Sequence, residues 1–310
     1  NITPPTNYAP RFISTPTKEV ILYRAQSDKK EMDLSNWKVF QFFKTYEDYD
    51  PEWKVDKVDS TKVKQILNAD ASVLLSDIQV ENYIINGKWK VDSSSDDDFI
   101  GFVFGYKDEG HFYLFDWKKG TQLWNNYYGE QGMSVKVINT DIPLDFGDLW
   151  HTAGNDRVKT IYHNNISYED FEEYDFTLKF SNNGHFNIII SKDGTILDNI
   201  SLYDTTYTSG KFGFYNFSQE GIVYSGFTSQ ELLEGIYSYH AKANNEDADI
   251  LQYSIVKGPN GMTIDKDTGE IKWTVTSADL GEHDVTIKAE DAKGFYDIQE
   301  FKISVIQTIN

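Results

Sequence analysis

Three consecutive carboxylates, Asp96, Asp97 and Asp98, stand directly before the apolar run FIGFVFGY. Adjacent like charges repel, and Asp disfavours strand, so their company calls for compensation. A hard divalent cation supplies it: Ca2+ gathers about six to eight oxygen ligands at about 2.3–2.6 Å. Strict strand alternation would send Asp97 away from Asp96 and Asp98. Convergence on one ion therefore needs a loop, and SSSDDD reads as one. The same residues also read as a solvated acidic loop. Asp116 interrupts the apolar run FYLFDWKK, where an ionised carboxylate seldom stands without a partner. It is either a further metal ligand or the partner of Lys118 or of water. Asn216, Ser218 and Gln219 in FYNFSQEG offer neutral oxygens at a strand end, where loops gather, for metal or glycan. The expected metal set is Asp96, Asp97, Asp98, Asp116 and Asn216.

A second chemistry is stacking. Tyr106, Trp117, Trp124, Tyr127 and Tyr128 offer aromatic faces that match the apolar faces of pyranose rings, and core packing is the competing use of such residues. With Gln219 as a polar contact, Tyr106, Trp117, Trp124 and Tyr127 form the expected ligand-binding set.

Other chemistries lack their residues. With no cysteine, disulfides, thiolate metal sites and a cysteine nucleophile are excluded. The six histidines show no H-E-x-x-H spacing, and there is no G-x-S-x-G, P-loop or G-x-G-x-x-G. Glycoside hydrolysis needs two carboxylates flanking the bond. In the acidic stretch YEDFEEYDF, read as a strand, Glu169 and Glu173 share a face, but Phe171 stands between them. No catalytic residue is expected, and the chain reads as a binding protein, not an enzyme. Asp and Glu outnumber Lys and Arg by 49 to 29, giving a net charge of −20, which opposes nucleic acid and anionic lipid. No run approaches about 18 apolar residues, so no membrane insertion is expected. The chain starts at Asn1 with no signal peptide and reads as a segment of something longer.

The elements that must position these groups are strands. Aromatics make up 15% of 310 residues, which favours half-buried pleated surfaces and room for two domains. FIGFVFGY and HFYLFDWKK are joined by a short loop ending in Gly110, and FNIIISKDGTILDNIS repeats the device around Asp193 and Gly194. VDSTKVKQILNAD reads as mostly strand. From about Glu234 the texture changes to five short alternating runs, from GIYSYHAKA to DIQEFKISVI, which suit a small Greek-key sandwich. Pro4, Pro5, Pro10 and Pro16 mark an extended leading segment.

DDDFIGFVFGYKDEGHFYLFDWKKGTQ, then LWHT, ISYEDFEEYDF and KFGFYNFSQEGIVYSGF, closely resembles the carboxy-terminal L-type-lectin-like domain of thrombospondins, above all its bacterial relatives. The resemblance covers about 21–232. It implies a concanavalin-type jelly-roll β-sandwich, bound calcium, and adhesion in a matrix or at a surface. The missing cysteines depart from the animal members. YSIVKGPNGMTIDKDTGEIKWTV and VTIKAEDAKGFYDIQEFKISV resemble the immunoglobulin- or cadherin-like repeats of large surface proteins. In those repeats an Asn-x-Ala-Pro-x-Phe strand precedes a Gly-x-Tyr-Ser-Tyr strand. Here Asn7, Ala9, Pro10 and Phe12 lie far upstream of Gly235 to Tyr239. The expected layout is a lectin-like domain over 21–232 inserted into a small domain made of 9–20 and 234–306, with Phe12 and Ile13 in the small core. Asp247, Asp249, Asp265, Asp267 and Asp291 fall where cadherin-type repeats place calcium ligands, although NNEDAD departs from the usual pattern.

The reading is thus all-β: a calcium-dependent, extracellular or cell-surface adhesion or carbohydrate-binding module of a larger protein. Its partners are a glycan or a surface protein, together with neighbouring repeats of the same chain. The alternatives are a calcium-stiffened spacer with no ligand and a glycoside hydrolase of related fold.

Overall fold

The structure, a computed structural model, describes residues 7–24, 29–45, 50–77, 79 and 81–309. Pro4 and Pro5 lie outside them. The chain forms two compact units, one of Lys29–Glu231 and one of Asn1–Asp28 with Leu232–Asn310.

The larger unit is two antiparallel sheets face to face. The front sheet runs in the order Val158–His163, Gly132–Asn139, His111–Lys118, Phe99–Asp108, Lys211–Phe217, Ser72–Leu75, Lys38–Gln41. The back sheet runs Thr195–Tyr203, His185–Lys192, Glu173–Phe180, Tyr83–Val91, Ile222–Glu231, Val63–Gln65, Trp53–Val55, and Lys30–Glu31 also pairs with Ile222–Glu231. This is a concanavalin-type jelly-roll sandwich. Of the run VDSTKVKQILNAD only Val63–Gln65 is strand.

Aromatic packing joins the sheets. Phe102 stacks on Phe115 and Phe176 at 4.9 and 5.0 Å, and Trp89 meets Phe176 at 5.0 Å. Each such side chain, fully buried, contributes roughly 1.5–3 kcal/mol. Alternation along HFYLFDWK sends Tyr113, Phe115 and Trp117 into this layer, and Phe112 and Leu114 into a second cluster with Leu149 and Trp150. The front sheet is therefore buried on both faces here. Gly101 permits a close approach within this sheet: a Cβ there would lie 1.9 Å from the Phe115 carbonyl oxygen. The Tyr224 hydroxyl holds the same residue, accepting from the Gly101 N–H and donating to backbone carbonyls of Gly101 or Tyr215.

The smaller unit is an immunoglobulin-like sandwich. One sheet runs Glu19–Arg24, Tyr296–Ile309, Gly281–Asp291, Leu251–Lys257, and the other Glu234–His240, Glu270–Thr276, Thr263–Ile264. Its core contains Leu22, Tyr237, Trp273, Ile287 and Ile303. Two details differ from the sequence-based expectation. The boundary at residue 21 falls inside the strand Glu19–Arg24, which pairs in parallel with Tyr296–Ile309 and buries Leu22 in this unit. Arg11–Phe12 pairs with Ala243–Asn244, and Phe12 packs near Tyr253, but Ile13 is 67% exposed. Successive side chains of an extended segment point to opposite sides, so only one of the two reaches the core.

Candidate cation site and its aromatic hairpin

Three loops cross between the sheets of the larger unit at one end. Residues 92–98 join Tyr83–Val91 to Phe99–Asp108, residues 66–71 join Val63–Gln65 to Ser72–Leu75, and residues 218–221 join Lys211–Phe217 to Ile222–Glu231. Register brings them together: Phe217 stands opposite Phe99, Asn216 opposite Ser72, and Ile222 between Gln65 and Val91.

Asp96, Asp97 and Asp98 meet on this loop end with carboxylate oxygens within 4.8 Å of one another, the first two partly exposed and Asp98 buried. The loops brace them. Asn68 donates its amide to Asp96 and accepts from the Ser218 hydroxyl, and the Asp98 N–H donates to Gln219 Oε1 at 2.9 Å. Glu220 holds the same loop through the hydroxyls of Ser93 and Ser95. Tyr168 donates its hydroxyl to the Asp98 carbonyl, at 2.7 Å, or to Gln219 Oε1, at 2.9 Å.

One cation of the chain already touches the cluster. Lys118 is fully buried, with its ammonium 2.5 Å from Asp98 Oδ1, 3.1 Å from the Asp97 carbonyl and 2.7 Å from Gln122 Oε1. The rings of Trp150 and Phe99 lie 4.9 and 5.2 Å from it, a cation–π setting. With all three carboxylates ionised, the one ammonium leaves two negative charges, the charge of one divalent cation. Burial, and then the charge of Asp98, push the Asp96 carboxyl up to about 7. Burial also raises Asp98, against the pull of Lys118. The protein's own groups therefore do not neutralise the site. Asp96, Asp97 and Asp98 are hard oxygen donors able to hold a divalent cation on the open side of the cluster.

The other expected ligands lie elsewhere. Asp116 shares the outer face of its strand with Lys118, but is fully buried and paired with Lys136 at 2.8 Å. Its charge is met there, as an apolar surrounding requires. Asn216 is fully buried, accepting from Gln65 and donating to the Gln219 carbonyl. Gln219 is buried as well, so both are braces of the loop rather than surface contacts. Asn68, Lys118 and Gln122 join the site unforeseen. Lys118 carried a signal in its spacing of two from Asp116; Asn68 carried none.

The aromatic set divides in the same way. Trp117 lies in the core between the sheets, its indole N–H donating to the Ile166 carbonyl, and Tyr106 packs on Phe112. Neither can meet a sugar. Trp124 and Tyr127 face each other on a short hairpin, Gln122–Trp124 with Tyr127–Gly129, turned through Asn125 and Asn126 at φ 47° and 67°. Positive φ at both turn residues suits a tight hairpin and is tolerated by Asn. Leu123, Trp124, Tyr127 and Tyr128 are 55%, 49%, 39% and 52% exposed. Gln122, at the hairpin base, is the residue that Lys118 holds.

The hydrolase alternative loses its strand. Phe171 has φ 64° and is exposed, and the strand starts only at Glu173. Glu169 and Glu173 lie beside Lys192 and Lys88 respectively. In the smaller unit, Asp291 accepts from the N–H groups of Lys293 and Phe295, Asp265 from those of Asp267 and Thr268, and Asp247 from that of Tyr8. Lys293 bridges Asp249 and Asn7. Asp291 and Asp265 thus shape turns, while Asp247 and Asp249 hold segments distant in sequence. Among the described residues, only Asp96, Asp97 and Asp98 bring three acidic or histidine side chains to metal-ligating distance.

The thrombospondin C-terminal region matches residues 48–230, more than half of the chain. The chain belongs to the thrombospondin C-terminal family. An Ig-domain family also matches, over residues 226–306. Thrombospondin-2 of Bos taurus is 30% identical over 189 residues, 57% of this chain and 16% of that protein, and thrombospondin-2 of Homo sapiens gives the same figures. Thrombospondin-4 of Xenopus laevis is 28% identical, over 57% of this chain and 20% of its own length. The chain thus spans a minor part of these thrombospondin relatives. Among solved structures, the carbohydrate-binding module CBM66 of Bacillus subtilis is 12% identical at a TM-score of 0.42, covering 59% of this chain and 92% of the module. A legume lectin-like domain from Entamoeba histolytica is 11% identical at a TM-score of 0.40, covering 63% and 90%. No helix among the described residues is long and apolar enough to cross a membrane.

Proposed function

We propose that this thrombospondin-type chain is a calcium-dependent adhesion or carbohydrate-binding module of a larger extracellular or cell-surface protein, without catalytic activity. The observation that carries the reading is the triad Asp96, Asp97 and Asp98, which Lys118 balances only in part, adjoining an exposed aromatic hairpin through Lys118 and Gln122. Calcium supplies the missing positive charge and stiffens the sheet-crossing loop. Trp124 and Tyr127, cross-strand neighbours on one face of the hairpin, then offer flat apolar faces beside hydroxyl-binding oxygens, the combination a pyranose ring requires. A net charge of −20 favours neutral over sulfated or sialylated glycans. The smaller unit acts as the connector to neighbouring repeats.

The test is a glycan array probed in calcium and in chelator, with the native chain and with Trp124→Ala combined with Tyr127→Ala. Calcium-dependent signal that the double variant loses supports the proposal. Calcium binding with no glycan signal in any condition would leave a calcium-stiffened spacer, or an adhesion module for surface protein.

A further inference from the structure

Among the described residues, Lys118 is the one ammonium that touches both the acidic loop and the hairpin. It reaches Asp98 Oδ1, the Asp97 carbonyl and Gln122 Oε1, and it is wedged between the rings of Trp150 and Phe99 with no exposure to water. The packing fixes its stem, while its three N–H bonds are divided between two structural elements. A neighbouring contact reinforces the junction: Gly120 lies so close to Asp97 that a Cβ there would be 2.4 Å from Asp97 Oδ2. Residues 119–121 thus connect Lys118 to the hairpin along the outside of the acidic loop.

We infer that Lys118 is a positioning residue that couples cation binding at the acidic loop to the hold on the aromatic hairpin, an inference that rests on the calcium reading above. Without the ion, Asp98 is the ammonium's strongest partner, since hydrogen bonds between charged groups are roughly twice as strong as those to neutral ones. A divalent cation on the loop draws the Asp98 carboxylate toward itself and repels the ammonium, and so weakens that hold. Gln122 Oε1 is the remaining strong acceptor, and it carries no charge for the metal to claim first. The ammonium then commits to Gln122 and clamps the base of the hairpin that presents Leu123, Trp124, Tyr127 and Tyr128. Linkage makes the effect reciprocal: a ligand that immobilises the hairpin raises cation affinity by the same factor.

The experiment combines calcium titration calorimetry with amide hydrogen exchange over residues 122–129, on the full chain and on Lys118→Met and Gln122→Leu. In the native chain calcium should slow hairpin exchange severalfold. Lys118→Met should bind calcium more tightly, because the competing ammonium is gone, yet show no slowing at the hairpin. Gln122→Leu alters only a partly exposed side chain at the hairpin base, so it keeps the fold testable; it should lose the slowing and, by the same linkage, bind calcium more weakly than the native chain. Calcium binding by the native chain with no change at the hairpin overturns the coupling and leaves the calcium reading intact. Equal slowing in either variant and the native chain also overturns it. Absence of binding heat in all three chains overturns the calcium reading itself, and the coupling with it.

Discussion

Asp97 and Asp98 are neighbours in sequence but differ in what their removal does. Asp98 balances the buried ammonium of Lys118, whereas Asp97 is partly exposed and 3.8 Å from that ammonium at its carboxylate. Asp98→Asn therefore leaves a buried charge without its partner, a loss of about 3–5 kcal/mol that urea denaturation in chelator will register. Asp97→Asn should change that denaturation by less than about 1 kcal/mol and yet weaken calcium binding in calorimetry. Equal destabilisation by both would contradict the geometry. Asp96 sets a pH dependence of unusual sign. In the ion-free fold its carboxyl holds a proton up to about 7, through burial and the charge of Asp98, whereas in the unfolded chain it ionises near 4. Between those values the folded state binds the extra proton, so stability in chelator falls as pH rises from about 4 to about 7 and levels off above it. Calcium displaces the proton and should abolish the fall. Melting temperatures in chelator at pH 5 and pH 8 check it, and a higher value at pH 8 would refute it.

Strands and hairpins decide which aromatics are free to bind. Trp117→Ala empties a position between the sheets and should destabilise by about 3–5 kcal/mol, while Trp124→Ala on the hairpin should stay within about 0.5 kcal/mol of the native chain. Chemical denaturation of the two variants separates core from surface. This division was only partly legible in the sequence. Asp96, Asp97 and Asp98 could be placed in a loop because adjacent charges repel and strands reject them, whereas the Asn125–Asn126 hairpin that exposes Trp124 and Tyr127 went unpredicted. Trp117 could not be placed the same way, because Phe112 and Leu114 on one side of its strand and Tyr113 and Phe115 on the other are equally apolar. A sheet buried on both faces erases the alternation that tells inside from outside. Asp116 was illegible for another reason: its partner Lys136 comes from a different strand, Gly132–Asn139, and cross-strand register is not written in local spacing.

At the scale of the molecule, the smaller unit draws its sheet from two distant stretches of chain. This supports the proposed insertion of the lectin-like unit, with its limits moved to Lys29 and Glu231. Residues 232–310 alone would lack the strand Glu19–Arg24 and the core side chain Leu22, and should fail to give a cooperative melt. Residues 29–231 alone should melt cooperatively and respond to calcium. Circular dichroism of the two fragments tests both statements, and a cooperatively folded 232–310 fragment would count against the two-stretch reading.

The parallel ladder of six residue pairs, from Glu19 opposite Ser304 to Arg24 opposite Ile309, also has a mechanical meaning. Tension that enters ahead of Glu19 and leaves beyond Ile309 pulls these two strands along their length in opposite directions. All the ladder's hydrogen bonds are then loaded together in shear, instead of opening one after another as a zipper does. The polypeptide from Lys29 to Glu231 begins and ends between those two strands in sequence, so it lies outside the load path until the ladder fails. Single-molecule pulling should accordingly show a first rupture in the smaller unit, followed by extension of the larger one. The cation site and its hairpin would stay in their binding geometry while the chain is under strain, which suits a contact that must hold when two surfaces are drawn apart.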